Sequence, residues 1–222
     1  MADLIRGLDA ARVRANVAAV RAEIGAACAR AGRDPAGVEL LAATKYVAVD
    51  ELGVLADAGV TTLGENRMQD LVAKCEAWPG RFTFDFIGHL QSRKVKDIAP
   101  LVRRIHSVAS ESALAQLGRA AAVSPGLEVL IEVNIAGEDG KSGIAPPELG
   151  AFLERCPVRV CGLMTMPPLA ADAESSRPWF TALADLAREH GLAELSMGTT
   201  QDFAVAVEEG ATIVRVGSRL FR

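Results

Sequence analysis

The 222-residue chain lacks most of the features that advertise a particular chemistry. No apolar run reaches the length of a membrane span, and Met1-Ala2-Asp3-Leu4-Ile5-Arg6 lacks the apolar core of a signal peptide. Neither charge sign dominates: 24 basic and 28 acidic side chains leave a net charge of −4, so nothing in the balance favours nucleic acid or an anionic membrane as partner. Cysteine is sparse. Cys28, Cys75, Cys156 and Cys161 show no CxxC spacing and read as small buried thiols. His89, His106 and His190 are scattered with no HxxxH pair, which argues against a metal site. The glycine-rich GxGxxG turn of a dinucleotide-binding sheet is missing as well. These absences leave an ordinary globular chain, expected in the cytoplasm.

What is present is a regular beat. Between Leu8 and about Ala31, Val13, Val17, Val20, Ile24 and Ala27 or Cys28 recur at three- and four-residue steps, one face of an amphipathic helix that Gly32 and Pro35 end. Strands are then expected at Val38–Ala43, Thr61–Gly64, Phe82–Ile87, Arg104–Val108, Leu127–Val133, Val158–Met164, Glu194–Met197 and Thr212–Val216. Helical stretches separate them near Val49–Ala58, Asn66–Glu76, Ser92–Asp97, Glu111–Ala122, Pro147–Glu154, Glu174–Glu189 and Asp202–Glu208. Parallel neighbours need such crossovers, and eight is the number that closes a (β/α)8 barrel. The expectation is an α/β chain folded as one TIM-barrel domain over residues 1–222, with residues 1–35 as an extra leading helix.

The first strand, Leu40-Leu41-Ala42-Ala43-Thr44-Lys45, runs out of apolar residues into a lysine. C-terminal strand ends are where parallel barrels place their chemistry. Other polar motifs also follow strands: Gly64-Glu65-Asn66, Gly88-His89-Leu90-Gln91, Gly140-Lys141-Ser142-Gly143, Ser196-Met197-Gly198-Thr199-Thr200 and Arg215-Val216-Gly217-Ser218. A closed barrel brings them to one rim. The loops after strands seven and eight, with small and hydroxyl residues, suit an anion, and a helix beginning near Asp202 is expected to add its dipole. A lysine opposite an anion cradle suits a phosphorylated aldehyde, the amine forming a Schiff base. Arg215 lies inside the apolar strand Thr212-Ile213-Val214-Arg215-Val216. Two readings fit it: a partner for a core carboxylate, or a donor to a ring nitrogen that thereby stays unprotonated.

Leu41-Ala42-Ala43-Thr44-Lys45, Gly64-Glu65-Asn66, Phe86 to Ser92, Val133-Asn134, Lys141-Ser142-Gly143, Gly162-Leu163-Met164, Leu195 to Gly198, Asp202 and Val214 to Gly217 occur in one order over nearly the whole chain. In these motifs the chain resembles the pyridoxal phosphate homeostasis proteins, which look like the barrel domain of alanine racemase standing alone (fold-type III). The resemblance implies pyridoxal 5′-phosphate (PLP) bound as an imine to Lys45, with Arg215 at the pyridine nitrogen. It implies phosphate held by Ser196, Gly198, Thr200, Gly217 and Ser218, with Asn66 and Met164 near the ring. It also implies a monomer or weak dimer that buffers PLP inside the cell and delivers it to apo forms of PLP-dependent enzymes. Thr199-Thr200 replaces the usual methionine-serine and keeps a hydroxyl at the second position.

Two enzymatic alternatives exist on the same barrel. A PLP-dependent racemase needs a second base across from the lysine. The only tyrosine, Tyr46, adjoins Lys45 and on extended chain points to the opposite side. A Schiff-base aldolase or phosphosugar isomerase needs an acid–base carboxylate or histidine, for which Glu65 and His89 are the candidates. His89, Gln91 and Lys141 stay open between structural and rim roles.

Overall fold

The computed structural model describes residues 4–222. Along it run α1 (Ala10–Arg30), β1 (Glu39–Ala43), α2 (Leu52–Asp57), β2 (Thr62–Glu65), α3 (Met68–Ala77), β3 (Thr83–Phe86), α4 (Val95–Ile98), β4 (Arg104–Val108) and α5 (Glu111–Ala120). There follow β5 (Glu128–Glu132), α6 (Leu149–Glu154), β6 (Arg159–Met164), α7 (Arg177–Glu189), β7 (Glu194–Thr199), α8 (Phe203–Glu208), β8 (Ile213–Val216) and α9 (Ser218–Phe221). Every expected strand exists, β4 with the expected bounds and the others within two residues of them. The helix α9 was not expected.

Each strand pairs in parallel with the next, and β8 returns to β1, so the barrel closes. Glu39 to Ala42 stand in register with Ile213 to Val216 across that seam. Strand alternation then sorts the side chains. Leu41 and Ile213 point inward, packing with Leu130, Cys161 and Met164 in a small cluster inside the ring. Ala42, Val214 and Val216 point outward into the larger core beneath the helices. Truncating Leu41, which is fully buried, to alanine is expected to cost about 2–5 kcal/mol.

The first helix starts where Asp9 accepts a hydrogen bond from the Arg12 N–H at 2.7 Å, a side-chain cap on an otherwise free donor. Its stripe of Val13, Val17, Val20, Ile24, Ala27 and Cys28 is buried against α2, α8 and α9. Ahead of it, Ile5 pairs in parallel with Val47 in the loop after β1. All four cysteines are free thiols, and no group of three or more metal-ligating side chains occurs among the described residues. No described helix is long and apolar enough to cross a membrane.

The N-terminal end of the barrel is closed by charge. Arg104 reaches Glu128 at 2.9 Å and Glu194 at 3.5 Å, while Arg103 reaches Glu39 at 3.0 Å and Asp85 at 2.6 Å. Every cation there has an acid.

Candidate functional site

The C-terminal end differs. A cavity of about 510 Å³ opens there, lined by Ala43, Lys45 and Tyr46 after β1, by Thr199, Thr200 and Gln201 after β7, and by Arg215, Gly217 and Ser218 from β8 onward. Ile5, Ile87, Met166, Phe221 and Arg222 complete the wall. The volume suits a small-molecule ligand.

Lys45 follows β1 directly. Thr44 still holds the ladder, its N–H bonded to Gly64 O at 3.1 Å, and the chain then turns, with Val47 N–H bonded to Thr44 O at 2.8 Å. That turn corrects one expectation. Lys45 and Tyr46 do not point to opposite sides: both line the cavity, and Lys45 Nζ lies 5.3 Å from the Tyr46 ring centroid. The extended-chain alternation fails because residues 44–47 are no longer extended.

The Thr44 carbonyl also accepts from Lys74 Nζ at 2.7 Å. Lys74 is buried between α3 and the barrel and pairs with Glu65 at 2.6 Å. Thr44 Oγ1 donates to the same Glu65 oxygen. Burial raises the Glu65 carboxyl above its ordinary value despite the lysine, and Glu65 Oε2 has no hydrogen-bond partner. Lys74 escaped the sequence reading because a lysine on an amphipathic helix reads as solvated.

Arg215 is buried in the barrel interior, 5% exposed. The reading that paired it with a core carboxylate does not hold, since no ion pair to it occurs among the described residues. Instead Nη1 donates to Ser196 O at 2.7 Å and Ser196 Oγ at 2.5 Å, and Nη2 to Thr165 O at 2.9 Å and Met166 Sδ at 3.0 Å. Burial pulls its pKa down to about 10, countered by the more distant Asp202 and Glu132. The guanidinium therefore stays charged at neutral pH.

Of the nine residues expected at the site, Lys45, Thr200, Arg215, Gly217 and Ser218 share this cavity. The other four lie elsewhere. The hydroxyl of Ser196, beneath Arg215, is already bonded to Arg215 and to His106 Nδ1, the latter at 2.8 Å. Gly198 has φ +87°, and a Cβ there would lie 2.5 Å from Ala206 Cβ, so its need for glycine comes from the packing of α8. Met164 is buried in the interior apolar cluster. Asn66 is half-buried with an unpaired Oδ1, its backbone against Gly88, where any Cβ would sit 2.1 Å from Asn66 O. The N-terminus of α8 carries no side-chain cap bond. Asp202 stands at its start and accepts from Thr199 N at 2.7 Å and Thr199 Oγ1 at 3.1 Å. Thr200 Oγ1 accepts from Gly217 N–H at 3.1 Å and so ties the two loops together.

The rim is divided. Lys141, in an ion pair with Glu138, lines a neighbouring cavity with residues 166–173, which shares Met166, Thr199 and Gln201 with the first. His89 and Gln91 border a separate hollow with Arg93, Ser110 and Ser112. Sequence reading also missed Asp85 and His106. An ionisable residue flanked by apolar neighbours inside a short strand, as in Thr83-Phe84-Asp85-Phe86, was the available signal.

The closed parallel barrel is the fold of the alanine-racemase-like proteins. The chain superposes on alanine racemase from Bartonella henselae with a TM-score of 0.72 at 14% identity, over 95% of this chain and 58% of that one, a likeness of fold. No protein-family model matches the chain. It is 40% identical over 207 residues to the pyridoxal phosphate homeostasis protein of Aquifex aeolicus, covering 88% of this chain and 91% of that one. It also matches PipY of Synechococcus elongatus, solved with PLP bound, at 28% identity and a TM-score of 0.78, over 95% of this chain and all of that one. The chain belongs to the pyridoxal phosphate homeostasis protein family.

Proposed function

We propose that this protein binds PLP in the cavity between Lys45 and Arg215 and serves to hold and hand on the cofactor. The observation that carries this is the buried Arg215 with no acid partner, on the same cavity as Lys45 and the joined Thr200–Gly217 loops. A buried cation without a counter-charge is costly, and an anionic, acceptor-bearing ligand supplies what the protein omits. Lys45 is the residue for covalent capture: its unprotonated amine adds to the aldehyde carbon, a C=N bond replaces C=O, and water leaves. Thr200, Gly217 and Ser218 are the residues for the phosphate. Bound PLP supplies an electron sink. Arginine, charged at neutral pH, only donates, so it leaves an acceptor nitrogen unprotonated and weakens that sink.

The cavity wall also supports a carrier over a catalyst. It contains Lys45, Tyr46, Arg215 and Arg222 as titratable side chains, and no acidic side chain or histidine. Tyr46 stands on the same wall as Lys45, so a second base across the cavity, which racemisation requires, is lacking among the described lining residues. Glu65 is tied to Lys74 outside the ring and His89 borders another hollow, which disfavours an aldolase or isomerase. Delivery to apo-enzymes from a monomer or weak dimer in the cytoplasm completes the proposal.

The test is the absorption spectrum of the purified protein loaded with PLP and freed of unbound cofactor, before and after borohydride. A visible band lost on reduction without any substrate is expected. A spectrum identical to that of protein never exposed to PLP would refute the proposal.

A further inference from the structure

Behind Arg215 runs a chain of hydrogen bonds through the inside of the barrel. Ser196 Oγ lies 2.5 Å from Arg215 Nη1 and 2.8 Å from His106 Nδ1. His106 Nε2 lies 3.1 Å from Asp85 Oδ2, which Arg103 holds in turn at 2.6 Å. Ser196, His106 and Asp85 are all buried. Their donors can be assigned by elimination. Arg215 can only donate, so Ser196 Oγ accepts from it and has one proton left. An ionised Asp85 can only accept, so His106 Nε2 carries hydrogen. The arrangement that uses every partner is then a neutral ring, with Nδ1 accepting from the Ser196 hydroxyl. A protonated ring would leave the serine proton without an acceptor and set a second cation beside Arg215.

The same bonds choose which part of Arg215 is offered to the cavity. Nη1 and Nη2 are both engaged with the wall, through Ser196, Thr165 and Met166. All bonds the guanidinium makes to described residues come from these two nitrogens, which leaves Nε as the uncommitted donor.

We infer that Asp85, His106 and Ser196 form a positioning chain that fixes the Arg215 guanidinium from behind and presents its Nε to the ligand, so that Ser196 serves the arginine and not the phosphate. This deepens the PLP reading and rests on it, but its first element is independent of any ligand. None of the three residues lines the cavity, so each is a positioning residue.

Two measurements test it. In apo-protein with 15N-labelled histidine, His106 is expected as the neutral Nε2–H form at neutral pH, with an Nδ1 resonance that moves in Ser196→Ala. The opposite tautomer, a charged ring, or an Nδ1 signal indifferent to Ser196→Ala overturns the chain whatever the protein binds. In PLP-loaded protein, Ser196→Ala is expected to release PLP about tenfold faster, the loss of one charged hydrogen bond. The pH midpoint of its visible band is also expected to shift by roughly one unit. Wild-type release with a wild-type midpoint would contradict the positioning role. A second variant, His106→Gln, reproduces both changes if the chain acts as a unit, and an unchanged midpoint there counts against it. If wild-type protein fails to take up PLP, the functional proposal falls while the histidine resonances still decide the chain.

Discussion

The two ends of this barrel treat charge in opposite ways. At the N-terminal end Arg103 and Arg104 meet Glu39, Asp85, Glu128 and Glu194 within 4 Å. At the C-terminal end Lys45 and Arg215 share a cavity that no acidic side chain lines. Burying a charge is tolerable when an opposite charge and hydrogen bonds compensate it, so the paired end needs nothing further to be a stable plug. The unpaired end is left short of negative charge and of acceptors. A structural ion is recognised by what neutralises it, and a functional one by the lack of a neutralising partner.

Four substitutions test this contrast. The largest effect is expected from Lys45→Ala, which should abolish the visible band of protein freed of unbound PLP while leaving the far-UV circular dichroism unchanged; a persisting band would move the covalent site elsewhere. Asp85→Asn comes next. It removes one partner from a buried, bonded group, for which about 3–5 kcal/mol is the usual loss, measurable by urea unfolding. Burial pushes the Asp85 carboxyl up, but the hydrogen bonds from His106 and Arg103 outweigh it and hold it below the ordinary carboxylate value. Its folded pKa being depressed, its contribution is fully present above the unfolded value and is lost as pH falls through the folded one. Asp85→Asn should therefore flatten the acid limb of the stability profile, and an unaltered limb would show that the carboxylate is not paired as described.

Arg215→Met should behave differently from Asp85→Asn although it alters the same chain of contacts. No carboxylate is stranded by it, so apo-protein stability is expected to shift by no more than about 1–2 kcal/mol, while PLP uptake falls steeply. A loss as large as that of Asp85→Asn would erase the distinction between the two ends. Smallest of all, Arg6→Ala breaks an ion pair with Asp50 in which both side chains are more than 60% exposed. No change in unfolding midpoint beyond error is expected from it.

Much of this was legible in the chain itself, and the residues show why. Eight short apolar segments with helical spacers demand parallel pairing, and a polar residue at a strand's C-terminal end is placed by topology alone. Lys45 and Arg215 could thus be assigned to one rim without any side-chain detail. Ser196 and Gly198 were legible as residues of the β7 end but not as to what they do. Ser196 stands in register with the inward-facing Ile213, ahead of a shift in register before Thr199, and what Gly198 avoids is a helix on the other side of the strand. The turn at Thr44–Val47 and the buried Glu65–Lys74 pair that braces it are tertiary facts. Local periodicity is blind to them, because an exposed and a buried lysine leave the same mark on a helical pattern.

The most direct measurement is mass spectrometry of peptides from PLP-loaded protein reduced with borohydride. One pyridoxyl group on the peptide carrying Lys45 is the expected result. A label on Lys141 or another lysine instead, or no covalent label at all, would contradict the assignment of the open end as a cofactor site.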